Sequence, residues 1–320
     1  MEEKESLEMD VAHVGDLCNK IIREVQKVIV GKKHIIRYLL IGLFAGGHVL
    51  LEGVPGVAKT FMANNFSKTL GLTFKRIQFT PDLLPADIIG THIFDQKEGT
   101  FRYRKGPIFA NVILADEINR APPKTQSALL EAMQEKQVTV EGETFKLPMP
   151  FLVIATQNPI EFEGTYPLPE AQVDRFHFKL EVDYPTMEEE IEIIRRKSYP
   201  KDIEVKTITS PQEILEVQRL IRTIYVSDEL LRYISEIVNK TRKIPELLLG
   251  AGPRASIVLL GASRVIAAMD KRDYVIPDDI KEVAVASLNH RLVLKPEAEL
   301  EGLTVVDVIK KILDEVEVPS

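Results

Sequence analysis

The sequence lacks several features, and each absence narrows what the chain can be. It has one cysteine, Cys18, in 320 residues. That excludes an intrachain disulfide and any cysteine-based zinc site, and it fits a reducing compartment. A basic excess is also missing: 41 Lys and Arg face 48 Asp and Glu, a formal net charge of −7. A dedicated duplex-binding module normally carries the opposite balance, although a local basic patch stays open. The longest apolar run, Tyr38 to Gly47, lies between Arg37 and His48 and is too short to span a bilayer. The opening MEEKESLEMD is acidic and has no hydrophobic stretch, so no secretory signal is expected. There is no internal repeat and no Gly/Ser linker. Six histidines (13, 34, 48, 92, 177 and 290) show no metal spacing and read mostly as surface or strand residues. What is present, 45% hydrophobic and 28% charged residues, is ordinary globular composition, able to bury a core without staples. At roughly 150 residues per domain the length suggests two domains. The expectation is a cytoplasmic protein with no membrane insertion.

Residues 48–183 alternate strand and helix. His48–Glu52, Asn111–Ala115 and Phe151–Ala155 are apolar runs, whereas Phe74–Phe79 and Phe176–Val182 alternate at period two. Continuous apolar strands separated by helices predict a mainly parallel sheet in an α/β domain. Thr91–Tyr103 and Gln137–Lys146 read as inserted hairpins turning at Glu98-Gly99 and Glu141-Gly142. After Tyr184 the signals become helical. Thr186–Glu189 and Ser210–Glu213 are capping boxes, and Ser227 caps a segment with Leu230, Leu231, Ile234, Ile237 and Val238 on one face. Further helices fit 254–269, 277–289 and 304–315. The expected division is an α/β domain over 1–190 and a small all-helical domain over 191–320.

Directly after the first strand comes Gly53-Val54-Pro55-Gly56-Val57-Ala58-Lys59-Thr60. This meets the phosphate-loop pattern G-x-x-x-x-G-K-T except that Ala58 replaces the last glycine. In a strand–loop–helix context the loop amides and helix N-terminus attract phosphate, Lys59 reaches the β- and γ-phosphates, and Thr60 ligates magnesium. Ala58 is expected to hold a helical, negative φ. The strand Val112–Ala115 ends in Asp116-Glu117. Beside a phosphate loop, Asp116 would hold the magnesium shell and Glu117 would act as general base on the attacking water. Alone, the pair reads equally well as an acidic helix cap. Asn158, at the tip of the next apolar strand, could bond both γ-phosphate and water, although Asn158-Pro159 is also a common turn.

With Asp174-Arg175-Phe176 and Gly252-Pro253-Arg254 following in order, the chain resembles an AAA+ ATPase, and more closely the MoxR family. The carrying stretches are VIVGKKHII, LLIGLFAGGHVLLEGVPGVAKT, IQFTPDLLPADIIGT, GPIFANVILADEINRAPPKTQSALLEAMQEKQVTVEG, FLVIATQNPIEFEGTYPLPEAQVDRF and AGPRA, spanning residues 25–255. The resemblance implies a P-loop core with two inserted hairpins and a helical lid, using ATP and Mg2+. It implies that Arg175 is an arginine finger reaching a neighbour's nucleotide and Arg254 a second sensor of the γ-phosphate, in cis or in trans. It also implies that Val30 and Gly31 border the adenine, and that nucleotide contacts run from Gly53 to Phe61. Outside the resemblance, Arg175 and Arg254 read more readily as structural ion-pair residues.

The implied function is a ring-forming, homo-hexameric, magnesium-dependent ATPase. It would act as a chaperone-like remodelling or maturation factor for a protein client or metal-cofactor complex, beside a partner with a von Willebrand factor A domain. A metal-chelatase-like motor subunit is the alternative. A nucleic-acid translocase is disfavoured by the charge, and a small-molecule kinase would leave Arg175 and Arg254 unexplained. The cluster Phe101-Arg102-Tyr103-Arg104-Lys105 reads either as a polymer contact or as a solvated hairpin arm with its aromatics packed down.

Overall fold

The computed structural model describes residues 10–54, 56–159, 164–198 and 203–319. Pro55 and residues 160–163 of the family stretches lie outside these. The described chain begins with helices α1 (Val11–Gln26) and α2 (Lys33–Phe44). The Asp10 carboxylate caps α1 by accepting from the His13 amide at 2.8 Å. Val14, Leu17, Cys18, Ile21, Ile22 and Val25 recur at helical spacing and are buried.

Strand and helix then alternate through β1 (Val49–Glu52), α3 (Lys59–Thr69), β2 (Phe74–Gln78) and α4 (Pro85–Ile89). The β3 (Gly90–Asp95)/β4 (Thr100–Lys105) hairpin follows, and then β5 (Val112–Asp116) and α5 (Pro123–Glu135). A second hairpin, β6 (Gln137–Val140)/β7 (Glu143–Lys146), precedes β8 (Leu152–Gln157), α6 (Glu170–Val173) and β9 (Phe178–Glu181). Five strands form one sheet in the order β2-β5-β8-β1-β9, every pair parallel. All five carboxyl ends therefore share one edge, where open α/β sheets bind ligands. Strand alternation splits the apolar side chains between two cores. Val49, Leu51, Leu114 and Ile154 face α1, α2, α3 and the C-terminal helices, while Leu50, Ile113, Val153 and Ala155 face α5.

The second hairpin turns through Glu141 and Gly142, both at positive φ (51° and 90°), as a two-residue turn of matching twist requires. Tyr103 of β4 stacks on Phe145 of β7 with centroids 4.1 Å apart, joining the two hairpins. Phe94 and Phe101 pair edge to face and stay exposed, at 54% and 70%. Within the aromatic–basic cluster, Tyr103 is therefore packed down while Phe101 stays in solvent.

Beyond β9 lie α7 (Met187–Ser198), α8 (Pro211–Thr223), α9 (Asp228–Thr241), α10 (Pro253–Met269), α11 (Pro277–Leu288), α12 (Pro296–Leu300) and α13 (Val305–Glu315). Thr186 and Glu189 cap α7 reciprocally, at 3.3 and 3.1 Å. Ser210 accepts from the Glu213 amide, but the Glu213 carboxylate turns to the Thr209 hydroxyl. Leu230, Ile234, Ile237 and Val238 are buried, whereas Leu231 is 41% exposed. One residue is a turn of about 100°, which carries Leu231 off the stripe. Nor is this region helical throughout. β10 (Leu247–Leu249) pairs antiparallel with β11 (Val293–Leu294), which satisfies backbone groups of the α9–α10 connection. α1 packs on α10, and both belong to the apolar cluster that reaches the α3-facing side of the sheet.

His13 and His34 are exposed and His92 lies in β3, as expected, whereas His290 follows α11 and departs from the surface-or-strand reading. His48 and His290 are buried, and the His177 Nδ1 is buried without a hydrogen-bond partner among the described residues. Desolvation disfavours the imidazolium of each, lowering His48 to about 4 and His177 to about 3, and carrying His290 well below its ordinary value.

Candidate nucleotide site

The loop after β1 is shaped by its glycines. A Cβ on Gly53 would lie 2.5 Å from the Val182 carbonyl oxygen, so only glycine lets the loop pass the end of β9. Gly56 has open space around it but φ +85°, so conformation rather than room requires glycine there. Ala58 overturns the expectation of a negative φ. It adopts φ 59°, ψ 25°, the left-handed conformation in which a Cβ crowds the backbone at about 1–2 kcal/mol. The chain is still turning at this residue, and α3 begins only at Lys59. Of the remaining loop and helix-start residues, Val57 packs against the core and Phe61 is 50% exposed; Val54 is half-buried.

Lys59 donates to the Gly53 carbonyl at 2.6 Å, folding over the loop it would share with phosphate. Half-burial draws its ammonium below the ordinary lysine value, and the charges of Asp116 and Glu117 oppose that shift. The Thr60 hydroxyl lies 3.4 Å from Asp116 Oδ2. One hydroxyl and one carboxylate converging on a point are the oxygen donors magnesium takes from a protein when phosphates supply others. The residues present therefore fit this ion.

Asp116 is buried and held from both sides. Thr156 of β8 donates to Oδ1 at 2.6 Å, and that hydroxyl accepts from the Glu117 amide at 2.8 Å. From β2, Arg76 donates to Oδ2 through Nε at 2.9 Å and Nη2 at 2.7 Å. Glu117 follows at φ 56°, another non-glycine in the left-handed region, with its carboxylate turned to Gln78 Nε2 (2.8 Å) and Arg120 Nε (3.0 Å). Asn158 is buried beyond β8 and lines a cavity of about 340 Å³ with Asn119, Glu170, Lys179 and His290.

The turn bearing Val30 and Gly31 reaches the same edge of the sheet. Gly31 lies against the Glu189 carboxylate, and Lys32 donates to the Asp183 carbonyl at 2.6 Å, next to the Val182 that Gly53 touches. Val30, Gly31, Gly53, Lys59, Thr60, Asp116 and Glu117 are thus gathered at one edge.

Arg175 and Arg254 differ. Among the described residues no carboxylate pairs with the Arg175 guanidinium, whereas Arg254 donates to Asp174 Oδ2 at 2.9 Å. The other oxygen of Asp174 accepts from Arg291 Nε at 2.8 Å. Arg291 also donates to the carbonyls of Asp174 (3.0 Å), Phe176 (2.7 Å), His177 (3.3 Å) and Ser287. Burial lowers its pKa and the Asp174 charge opposes this; a guanidinium stays charged nonetheless.

Arg76, Gln78, Thr156 and Arg291 were not anticipated from sequence. The one signal for the first two is their spacing of two residues in the alternating stretch Phe74–Phe79, which puts both on one face of β2.

A family model described as the ATPase family associated with various cellular activities (AAA) matches residues 48–178, and an AAA lid domain matches residues 239–312. The uncharacterized protein YeaC of Bacillus subtilis is 49% identical over 305 residues, 95% of each chain. Chaperone MoxR1 of Mycobacterium tuberculosis is 49% identical over 311 residues, 94% of this chain and 82% of that one. A solved structure from Cytophaga hutchinsonii, assigned as an ATPase, superposes with a TM-score of 0.91 at 49% identity, covering 97% of both chains. The chain is an ATPase and belongs to the MoxR family of AAA+ ATPases.

Proposed function

We propose that the chain hydrolyses ATP with magnesium as one subunit of a ring, and uses the turnover to remodel a protein client. The observation that carries the chemistry is the convergence of Lys59, Thr60, Asp116 and Glu117 on the loop after β1. Lys59 exchanges the Gly53 carbonyl for phosphate oxygens. Thr60 and Asp116 would hold magnesium, which when bound with the nucleotide neutralises charge across the β- and γ-phosphates. Glu117 leaves Gln78 and Arg120 to accept the proton of the attacking water. The water oxygen bonds to the γ-phosphorus as the bridging oxygen departs with ADP, and Asn158 orients the water. Arg175, without a carboxylate partner among the described residues, supplies positive charge to a neighbouring subunit's nucleotide. Arg254 gives up an exposed ion pair, which costs at most about 1 kcal/mol, to report on the γ-phosphate.

A nucleotide-binding domain to about residue 190 and a lid beyond it, assembled as a hexamer, give this chemistry its framework. The exposed pair Phe94 and Phe101 supports a polypeptide client gripped by the joined hairpins. The relative named Chaperone MoxR1 supports the same class. A von Willebrand factor A partner and a cytoplasmic location complete the reading; among the described residues no helix is long and apolar enough to cross a membrane. The test is ATP turnover with and without magnesium, together with ATP-dependent capture of a client by Glu117→Gln but not by Lys59→Ala. Turnover unaffected by Lys59→Ala would end the assignment.

A further inference from the structure

We propose that Arg76 is a built-in cation that keeps the magnesium position closed to free metal until a nucleotide arrives. Parallel register sets Gln78 opposite Asp116 and Arg76 opposite Leu114, so the Arg76 side chain runs along the same sheet face toward the strand tip. Both of its donors converge on Asp116 Oδ2, at 2.9 and 2.7 Å. That is the oxygen nearest the Thr60 hydroxyl, and therefore the one that faces the ion. Oδ1 is already taken by Thr156. Arg76 also donates through Nη2 to Gln78 Oε1, and the Gln78 amide donates to Glu117, so one planar group ties both carboxylates together.

The electrostatics favour a gate over a permanent brace. Asp116 and Glu117 place two negative charges side by side, and Arg76 and Arg120 match them. A free divalent ion must displace a guanidinium from Oδ2 and gains no phosphate oxygens in return. A metal–nucleotide complex brings its own anionic oxygens, and these can take over the arginine. The side chain can make this exchange because it is 46% exposed, so its head can turn into water at little cost. Arg76 is thus a positioning residue. It holds Asp116 in place before binding and makes metal entry conditional on phosphate. The proposal rests on Thr60 and Asp116 being the metal ligands.

The test uses manganese as a paramagnetic stand-in for magnesium, titrated into the full chain without nucleotide and read by electron paramagnetic resonance. Wild type is expected to bind no manganese in the micromolar range. Arg76→Gln should gain a nucleotide-independent site at least about tenfold tighter, from removal of one adjacent positive charge. Arg76→Lys keeps the charge and should stay near wild type. Manganese alone should raise the melting temperature of Arg76→Gln and not of wild type. Micromolar manganese binding by nucleotide-free wild type would overturn the proposal whether or not the variants fold. So would an Arg76→Gln chain that gains no binding, or a gained site that survives Asp116→Asn in the same chain. Failure of the underlying metal assignment gives a different result: wild type would bind manganese with ATP, and Asp116→Asn would not weaken it.

Discussion

The strand tips and the lid junction each set acidic groups between two arginines, yet the two regions are built for opposite ends. At the tips, Asp116 and Glu117 meet Arg76 and Arg120, whose side chains are 46% and 39% exposed. At the junction, Asp174 meets Arg254 and Arg291, and the Arg291 side chain is 2% exposed and bonded to four backbone carbonyls as well. Exposed pairs exchange partners cheaply, whereas a buried pair that loses one member leaves polar groups stranded. Asp174 shows both cases on one carboxylate, because Oδ1 is locked to Arg291 and Oδ2 is lent to the exposed Arg254. The tips can therefore change partners when ligand binds, while the junction carries the lid as a fixed attachment.

Breaking the exchangeable side at its proposed general base should have the largest effect. Glu117→Gln is expected to lower kcat by at least about 100-fold, as loss of a general base does, with ATP binding retained. Steady-state turnover alongside equilibrium binding checks this. On stability the order reverses. Arg291→Leu should lose about 3–5 kcal/mol by denaturant unfolding, against less than about 1 kcal/mol for Arg120→Gln. Equal losses would erase the distinction between the regions.

The buried histidines near the junction make stability depend on pH. Folded His48 and His177 stay neutral to about 4 and about 3, because burial disfavours their charged forms. The unfolded imidazoles take up protons near 6.5. Their contribution is therefore complete above pH 6.5 and is lost as pH falls toward the folded values. Each should forfeit about 1.5 kcal/mol between pH 6.5 and 5. Unfolding free energies measured across that interval should fall, and His48→Phe should flatten the slope. The smallest effect is local: Ala58→Gly relieves the left-handed alanine and should raise stability by up to about 1 kcal/mol while ATP binding persists.

What could be read in advance was local in the chain. The β1–loop–α3 unit and the Asp116-Glu117 tip announce themselves within short contiguous stretches, and the apolar runs of β5 and β8 fall where they were expected. The conformation of Ala58 was hidden because alanine carries no signal for positive φ, whereas Gly56 does. The partners of Asp116 were hidden for another reason. Arg76 is 40 residues away and Thr156 another 40 in the other direction, so only strand order and register bring them together. Arg291 follows α11 with nothing local to mark it as buried. The histidines gave no sign of burial because imidazole suits core and surface alike.

Action of Arg175 across a subunit boundary is the central claim, and mixing two inactive chains tests it. Arg175→Ala should bind ATP but offer its neighbour no guanidinium, and Lys59→Ala should bind no ATP but keep Arg175. If the finger acts in trans, their mixture should hydrolyse ATP well above the sum of the separate preparations. Activity equal to that sum, in rings shown to contain both chains, would contradict it.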